Sequence, residues 1–269
     1  MRLFFVLGLV ASLSAPAMAA SVSPTVGATL ESHRATYKLS LARLAKGDGV
    51  RAAKGGLTYA LTDQCEGYTI ESTLTLETAF ASGIDEHLEQ RFAAWEAKDG
   101  RHATFQMQNF EDGKLTKTYR GTVHLDETLA GTATYESDST STFQLPPGTL
   151  LSTAHTLALL KGAAAGEQFM SRVVIDGSFE SGPFRATAAI GPARDAKKGA
   201  TVPQLANGAA WPMEVAYFPL EAGKDLPDYE IDMQMLGNGV TRSMTQDFGN
   251  FAIGFELANV ETLPAQTCN

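Results

Sequence analysis

From His33 onward, apolar and polar residues alternate along the chain instead of recurring every three or four positions. The pattern is clearest in YTIESTLTLET. There Tyr68, Ile70, Leu74 and Leu76 share one face of an extended strand, and Thr69, Glu71, Thr73 and Thr75 share the other. The same alternation predicts strands in HRATYKLSLARL, GGLTYALTD, LEQRFAAWEAK, RHATFQMQNF, LTKTYRGTVHL, QFMSRVVID, WPMEVAYFPL, YEIDMQML and FAIGFELANV. They follow at the short, regular spacing of an all-β fold. Asp99-Gly100, Asp112-Gly113 and Asn238-Gly239 sit between strands and accept positive φ at low steric cost, so they predict hairpins and hence antiparallel pairing. One face of such a sheet is buried and the other is wet.

One segment departs from this period. STAHTLALLKGAAAG offers Ser152 as an N-cap, Leu157, Leu160 and Ala164 at helical spacing, and Gly166 as a stop. Ala158 and Leu159 widen the apolar arc, and Lys161 is its only charge. A helix this apolar belongs in a buried position, which predicts a place in the concavity of the sheet. Residues 191–210, rich in Gly, Ala and Lys without periodicity, predict a long exposed loop.

The first 19 residues change the setting. Arg2, the apolar run Leu3 to Leu13, Pro16 and the triplet Ala17-Met18-Ala19 form a secretory signal peptide cut after Ala19. The run is too short for a helix that needs about 20 apolar residues to cross a bilayer. The exported product, residues 20–269, reads as a single domain, and the expected compartment is the periplasm. Its charge is acidic, −9 for the whole chain. With acids and bases interspersed there is no basic patch for nucleic acid. Cys65 and Cys268 are the only cysteines, and in an oxidising compartment an even count favours a disulfide over a metal site, two free buried thiols being the alternative.

Candidate chemistry is sparse. Histidines 33, 87, 102, 124 and 155 form none of the close pairs that would set two metal ligands on one side of an element, so no metal or cofactor is expected. The local signatures of hydrolases, G-x-S-x-G, S-x-x-K and H-E-x-x-H, are absent, and GNG at 237–239 lies between strands, where a phosphate-cradling glycine loop would lead into a helix. His155, one turn into the apolar helix, could be a base or a ligand contact, but a core histidine with satisfied nitrogens is the commoner case. Trp95 and Trp211 could line a pocket, though aromatics in amphipathic strands more often belong to the core.

Taken in order, SHRATYKLSL at 32–41, GGLTYALTDQCEGYT at 55–69, WEAKDG at 95–100, LPPGTLLSTAHTLALL at 145–160, IDGS at 175–178 and the closing run from LGNGVTRSMTQDFGNFAIGFEL to Cys268 resemble the envelope integrity protein B (EipB) family of periplasmic proteins. The resemblance covers nearly all of the exported chain and departs at Leu150-Leu151, where an aromatic is expected. It implies a curved, open spiral of about fourteen antiparallel strands, an architecture that manages its edges by curling on itself, with the apolar helix inside and the two cysteines bridged. It implies no enzymatic activity and a role in envelope integrity under stress.

The expected function is therefore non-catalytic support of the envelope through binding of a protein, peptide or lipid-like ligand. Carriage of lipid or lipoprotein across the periplasm is the alternative, and an unrecognised hydrolase a remote one. A curved sheet whose concavity holds one helix should keep an apolar groove beside it, with Leu157 and Leu160 as its floor and His155, Trp95 and Trp211 as candidate walls.

Overall fold

The computed structural model describes residues 30–44, 50–80, 83, 85–178, 182–195, 208–220, 225–264 and 268; the expected signal peptide lies outside them. Sixteen strands are present among these residues: β1 (His33–Leu44), β2 (Val50–Asp63), β3 (Gly67–Phe80), β4 (Asp85–Ala97), β5 (His102–Glu111), β6 (Lys114–Leu125), β7 (Gly131–Glu136), β8 (Thr140–Leu145), β9 (Leu150–Leu151), β10 (Phe169–Ile175), β11 (Phe184–Ile190), β12 (Arg194–Asp195), β13 (Ala209–Pro219), β14 (Tyr229–Leu236), β15 (Thr241–Asp247) and β16 (Phe251–Thr262). The one helix, α1, spans Ser152–Ala165. Two of the strands have only two residues, which leaves fourteen of ordinary length.

All belong to one sheet, ordered β8-β7-β6-β5-β4-β3-β2-β1-β16-β15-β14-β13-β11-β10-β9, with β12 paired to β13. Most neighbours along the chain are hairpin partners; β1 instead pairs with β16, joining the first and last long strands in register from His33↔Thr262 to Leu44↔Phe251, β11 pairs with β13, and β9 pairs in parallel with β10 across α1. The Asp112-Gly113 pair works as expected: both residues have positive φ, 49° and 75°, as a two-residue hairpin between β5 and β6 needs. Ala209 and Ala210 start β13 and pair with Arg194–Asp195, so the loop expected over 191–210 is interrupted at both ends by strand. Residues 196–207 are outside the described set.

The sheet curls because its two ends are tied together. β8 and β9 are the extremes of the strand order, yet only residues 146–149 connect them, and a link of that length reaches about 18 Å at most. Gly148 and Thr149 donate their N–H groups to Thr128 O (2.9 Å) and Leu129 O (3.1 Å), fastening the link to the β6–β7 turn. The turn after β10 reaches across the same seam: Tyr119 Oη donates to Ser178 O (2.5 Å), and Gly177 lies against the Phe105 ring. At Gly177 φ is +73° and a Cβ would fall 2.5 Å from Phe105 Cγ, so no side chain is admissible there. The result is an incompletely closed, mainly antiparallel barrel.

The inward face holds the main core. Leu159, Leu160 and Ala163 of α1 share one apolar cluster with Leu61, Ile70, Phe105, Met107, Tyr119, Val123, Tyr135, Val174, Trp211 and Val215. The helix is therefore inside the concavity. A second cluster, around Tyr37, Leu39, Leu236, Val240, Ile253 and Phe255, fills the stretch where β1 meets β16.

Candidate functional site

The start of α1 is set by a residue from another strand. Leu151, in extended conformation, is the cap residue and offers no side-chain hydrogen bond. Ser152 is thus the first helical residue and not the N-cap, a correction to the sequence reading. The capping oxygen comes from Glu96 on β4, whose Oε2 accepts from Thr153 N (2.8 Å) and Thr153 Oγ1 (2.5 Å). Glu96 is 2% exposed. Burial pushes its pKa up to about 7, against the pull of these hydrogen bonds. At the other end Gly166 (φ 81°) closes the helix as predicted, with N–H bonds to Ala163 O and from Glu167 to Gly162 O.

The inward face of α1 divides into two halves. Leu159, Leu160 and Ala163 in the second half are buried and close-packed. Ser152, Thr153 and Thr156 in the first half carry short side chains and face a hollow of about 190 Å³. Across it stand Leu30, His33, Tyr37, Leu57, Tyr59 and Leu61 from the start of the chain, with Met235, Gly239, Thr241 and Met244 from β14, β15 and their turn. Leucines fill the space above them, whereas hydroxyl-bearing side chains one turn earlier do not.

Several polar groups of this wall are already engaged. Thr156 Oγ1 donates to Ser152 O (3.1 Å), and Tyr37 Oη donates to Thr241 O (2.8 Å). His33, 2% exposed, approaches Glu31 O through Nδ1 at 2.7 Å. A carbonyl only accepts, so Nδ1 carries the proton and Nε2 presents a lone pair. Burial lowers the His33 pKa and raises that of Tyr59, whose ring lies 5.8 Å from it. The pair is a neutral imidazole beside a neutral phenol.

The roof of the hollow is pinned from outside. Ser32 Oγ accepts from Asp63 N (2.9 Å), Ser32 O accepts from Leu263 N (3.0 Å), and Glu31 N donates to Asn238 O (3.1 Å). Cys65, in the β2–β3 turn next to Asp63, is bonded to Cys268 with Cα atoms 5.6 Å apart, inside the ordinary disulfide window. The covalent link joins the same end of the barrel.

None of the five groove residues expected from sequence lines the hollow. Leu160 is fully buried, one turn beyond Thr156; Leu157 is half-buried against the main cluster. His155 is buried with Nε2 making no hydrogen bond among the described residues, and burial takes its pKa down to about 4. Trp211 is a core residue. Trp95 is a correction of phase: it pairs with Thr69 and Thr104 on the convex side, half-exposed, and its indole lies on Gly67. There it borders a more open trough of about 480 Å³ edged by Thr122, Gln106 and Arg120. Sequence reasoning missed His33, Tyr59 and Glu96.

Among the described residues no group of three or more His, Cys, Asp or Glu side chains could hold a metal ion. None of their helices is long and apolar enough to cross a membrane.

Fold and hollow together define a small open-barrel protein that encloses one helix. A crystal structure of a beta-barrel-like protein of a domain of unknown function from Brucella abortus is similar to it, with a TM-score of 0.79, 26% identity and coverage of 88% of this chain and 99% of that one. The chain belongs to the EipB-like family, whose model matches residues 25–264. The cell envelope integrity protein EipB of Brucella abortus (strain 2308) is 26% identical to it over 248 residues, 90% of this chain and 88% of the relative.

Proposed function

We propose that this chain is a non-catalytic periplasmic protein that supports envelope integrity by holding a lipid-like ligand in the hollow beneath the first turn of α1. Family membership and the name of its relative support the envelope role. The signal-peptide pattern and the Cys65–Cys268 pair support the compartment. The observation that carries the binding role is the hollow itself, an interior space left beside a close-packed core and walled by Leu57, Leu61, Met235 and Met244. Interiors of this kind are normally filled to crystal-like density, and an apolar recess with a few fixed polar groups is the usual form of a ligand site.

Carriage of whole lipids or lipoproteins fits less well. Sites for drug-sized ligands run to about 300–1,000 Å³, and 190 Å³ accepts only part of one. Native mass spectrometry of the protein purified from its own periplasm tests the proposal. A co-purifying aliphatic ligand, lost when Thr156→Trp fills the hollow, is the expected result. An empty chain in complex with a protein partner would assign the function to an outer surface instead.

A further inference from the structure

The charge of the ligand can be read from the walls, an inference that rests on the binding role just proposed. Among the described residues, no Lys, Arg, Asp or Glu side chain lines the hollow. Glu96 lies behind Thr153, with its hydrogen bonds spent on the helix start. An anionic head would find no counter-charge, a cationic head would find no carboxylate, and either would lose its hydration uncompensated. What the walls do offer is a fixed acceptor at His33 Nε2, held in that role because Nδ1–H is committed to Glu31 O. Tyr59 and Ser152, each carrying a hydroxyl, line the same hollow.

We infer that the cavity is selective for an uncharged aliphatic compound bearing a hydroxyl, which would donate to His33 Nε2 and accept from Tyr59 while its chain lies against Leu57, Leu61, Met235 and Met244. The lowered pKa of His33 keeps the imidazole an acceptor at neutral pH, and the raised pKa of Tyr59 keeps the phenol a donor. With a water molecule occupying about 30 Å³ of liquid, the space takes roughly six groups of that size, enough for a head and a short stretch of chain.

The test uses three probes of equal chain length, 1-octanol, octanoate and octyltrimethylammonium, titrated at pH 7.5 into the exported, disulfide-bonded protein after its native ligands have been stripped. 1-Octanol should bind saturably and at least tenfold more tightly than either ion. Tyr59→Phe, which keeps the ring, should weaken 1-octanol several-fold with little change in melting temperature. His33→Gln should do the same if it folds. Octanoate or octyltrimethylammonium binding as tightly as 1-octanol would overturn the selectivity while leaving a lipid-like site in place. Unchanged 1-octanol affinity in Tyr59→Phe would equally remove the assigned hydroxyl contact. Failure of all three probes to bind the wild type would remove the site and the selectivity together.

Discussion

The two halves of the inward face of α1 are built from one helix against one sheet, yet one is solid and the other hollow. In the second half, branched side chains meet branched side chains, and Leu160 is left with no exposure at all. In the first half Ser152, Thr153 and Thr156 stand where leucines would, and the hollow opens in front of them. Polar side chains in the first turn of a buried helix are explicable only if something uses them. Glu96 uses Thr153. Thr156 turns back on the helix, and Ser152 lines the cavity. The lesson is that burial of an element does not distribute evenly along it, and the badly filled end is where a ligand can enter.

The largest expected effect concerns the end of the barrel that carries the hollow. Replacing Cys65 by Ser opens a bridge between residues 203 apart in sequence, and the chain-entropy account gives about 5 kcal/mol as an upper bound. The roof at Leu30–His33 is anchored beside this bridge through Asp63 and Ser32. Hydrogen exchange should therefore accelerate first at Glu31 and Asp63, with β5 and β6 little changed; uniform acceleration would show that the bridge does not serve the hollow in particular.

Next in size is the contrast within the helix. Leu160→Ala should cost about 2–5 kcal/mol by leaving a cavity in a packed core. Thr156→Ala removes only a hydroxyl bonded within its own helix and should cost below about 1 kcal/mol. Chemical denaturation of the two variants measures the difference directly, and equal costs would mean that the two halves are packed alike.

A third effect is a pH dependence split between two buried groups at the start of α1. Folding raises the Glu96 pKa from 4.5 to about 7, so within that window the folded chain keeps a proton that the unfolded chain has released. Stability contributed at acid pH is lost as pH rises through it. Folding lowers the His155 pKa from 6.5 to about 4, so here stability is lost as pH falls through that window. The groups facing them are Thr153, Ser152 and the carboxylate of Asp176 on the Glu96 side and Arg172 on the His155 side. The two slopes oppose one another in nearly the same range. Relative to wild type, Glu96→Gln should become more stable from pH 4.5 to 7, and His155→Leu less so from pH 4 to 6.5. The size is on the order of 1–3 kcal/mol at the ends. Parallel curves for all three proteins would contradict the assignment.

How much of this could be read from residues alone depended on side-chain size. β3 and β5 announce themselves because Tyr68, Ile70, Phe105 and Met107 are large and separated by polar neighbours. β7, β8, β11 and β15 escaped notice: about half of the residues of GTATYE, TSTFQL, FRATAAI and TRSMTQD are Thr, Ser or Ala. In β11, Ala186 and Ala188 are nevertheless 1% exposed, because neighbouring strands cover residues too small to signal burial themselves. Trp95 illustrates a different limit. It lies three residues from Phe92, so the two cannot share a strand face; Phe92 packs against the main core, and that phase carries Ala94 and Glu96 inward. The helix and its stop at Gly166 were legible, but its cap was not, since Glu96 arrives from a strand 57 positions away. The sequence reading set a groove against Leu157 and Leu160, whereas the hollow borders Ser152, Thr153 and Thr156, because sequence shows which residues are apolar and not which of them already have their space filled.

The smallest change sharpens the comparison from the other side. Thr156→Leu extends the leucine packing into the first half of the helix, and filling part of the hollow should leave stability within about 1.5 kcal/mol of wild type, either way. It should also weaken any ligand seated there.

The proposed site differs from a uniformly packed core in which half of α1 faces an occupant. Methyl NMR of the exported protein, labelled at Met and Leu and titrated with 1-octanol, reads this directly. Saturable shifts at Met235, Met244, Leu57 and Leu61, with Leu159, Leu160 and Met170 unmoved, are the result the proposed site predicts. Shifts centred on Leu159 and Leu160, or none that saturate, would contradict it.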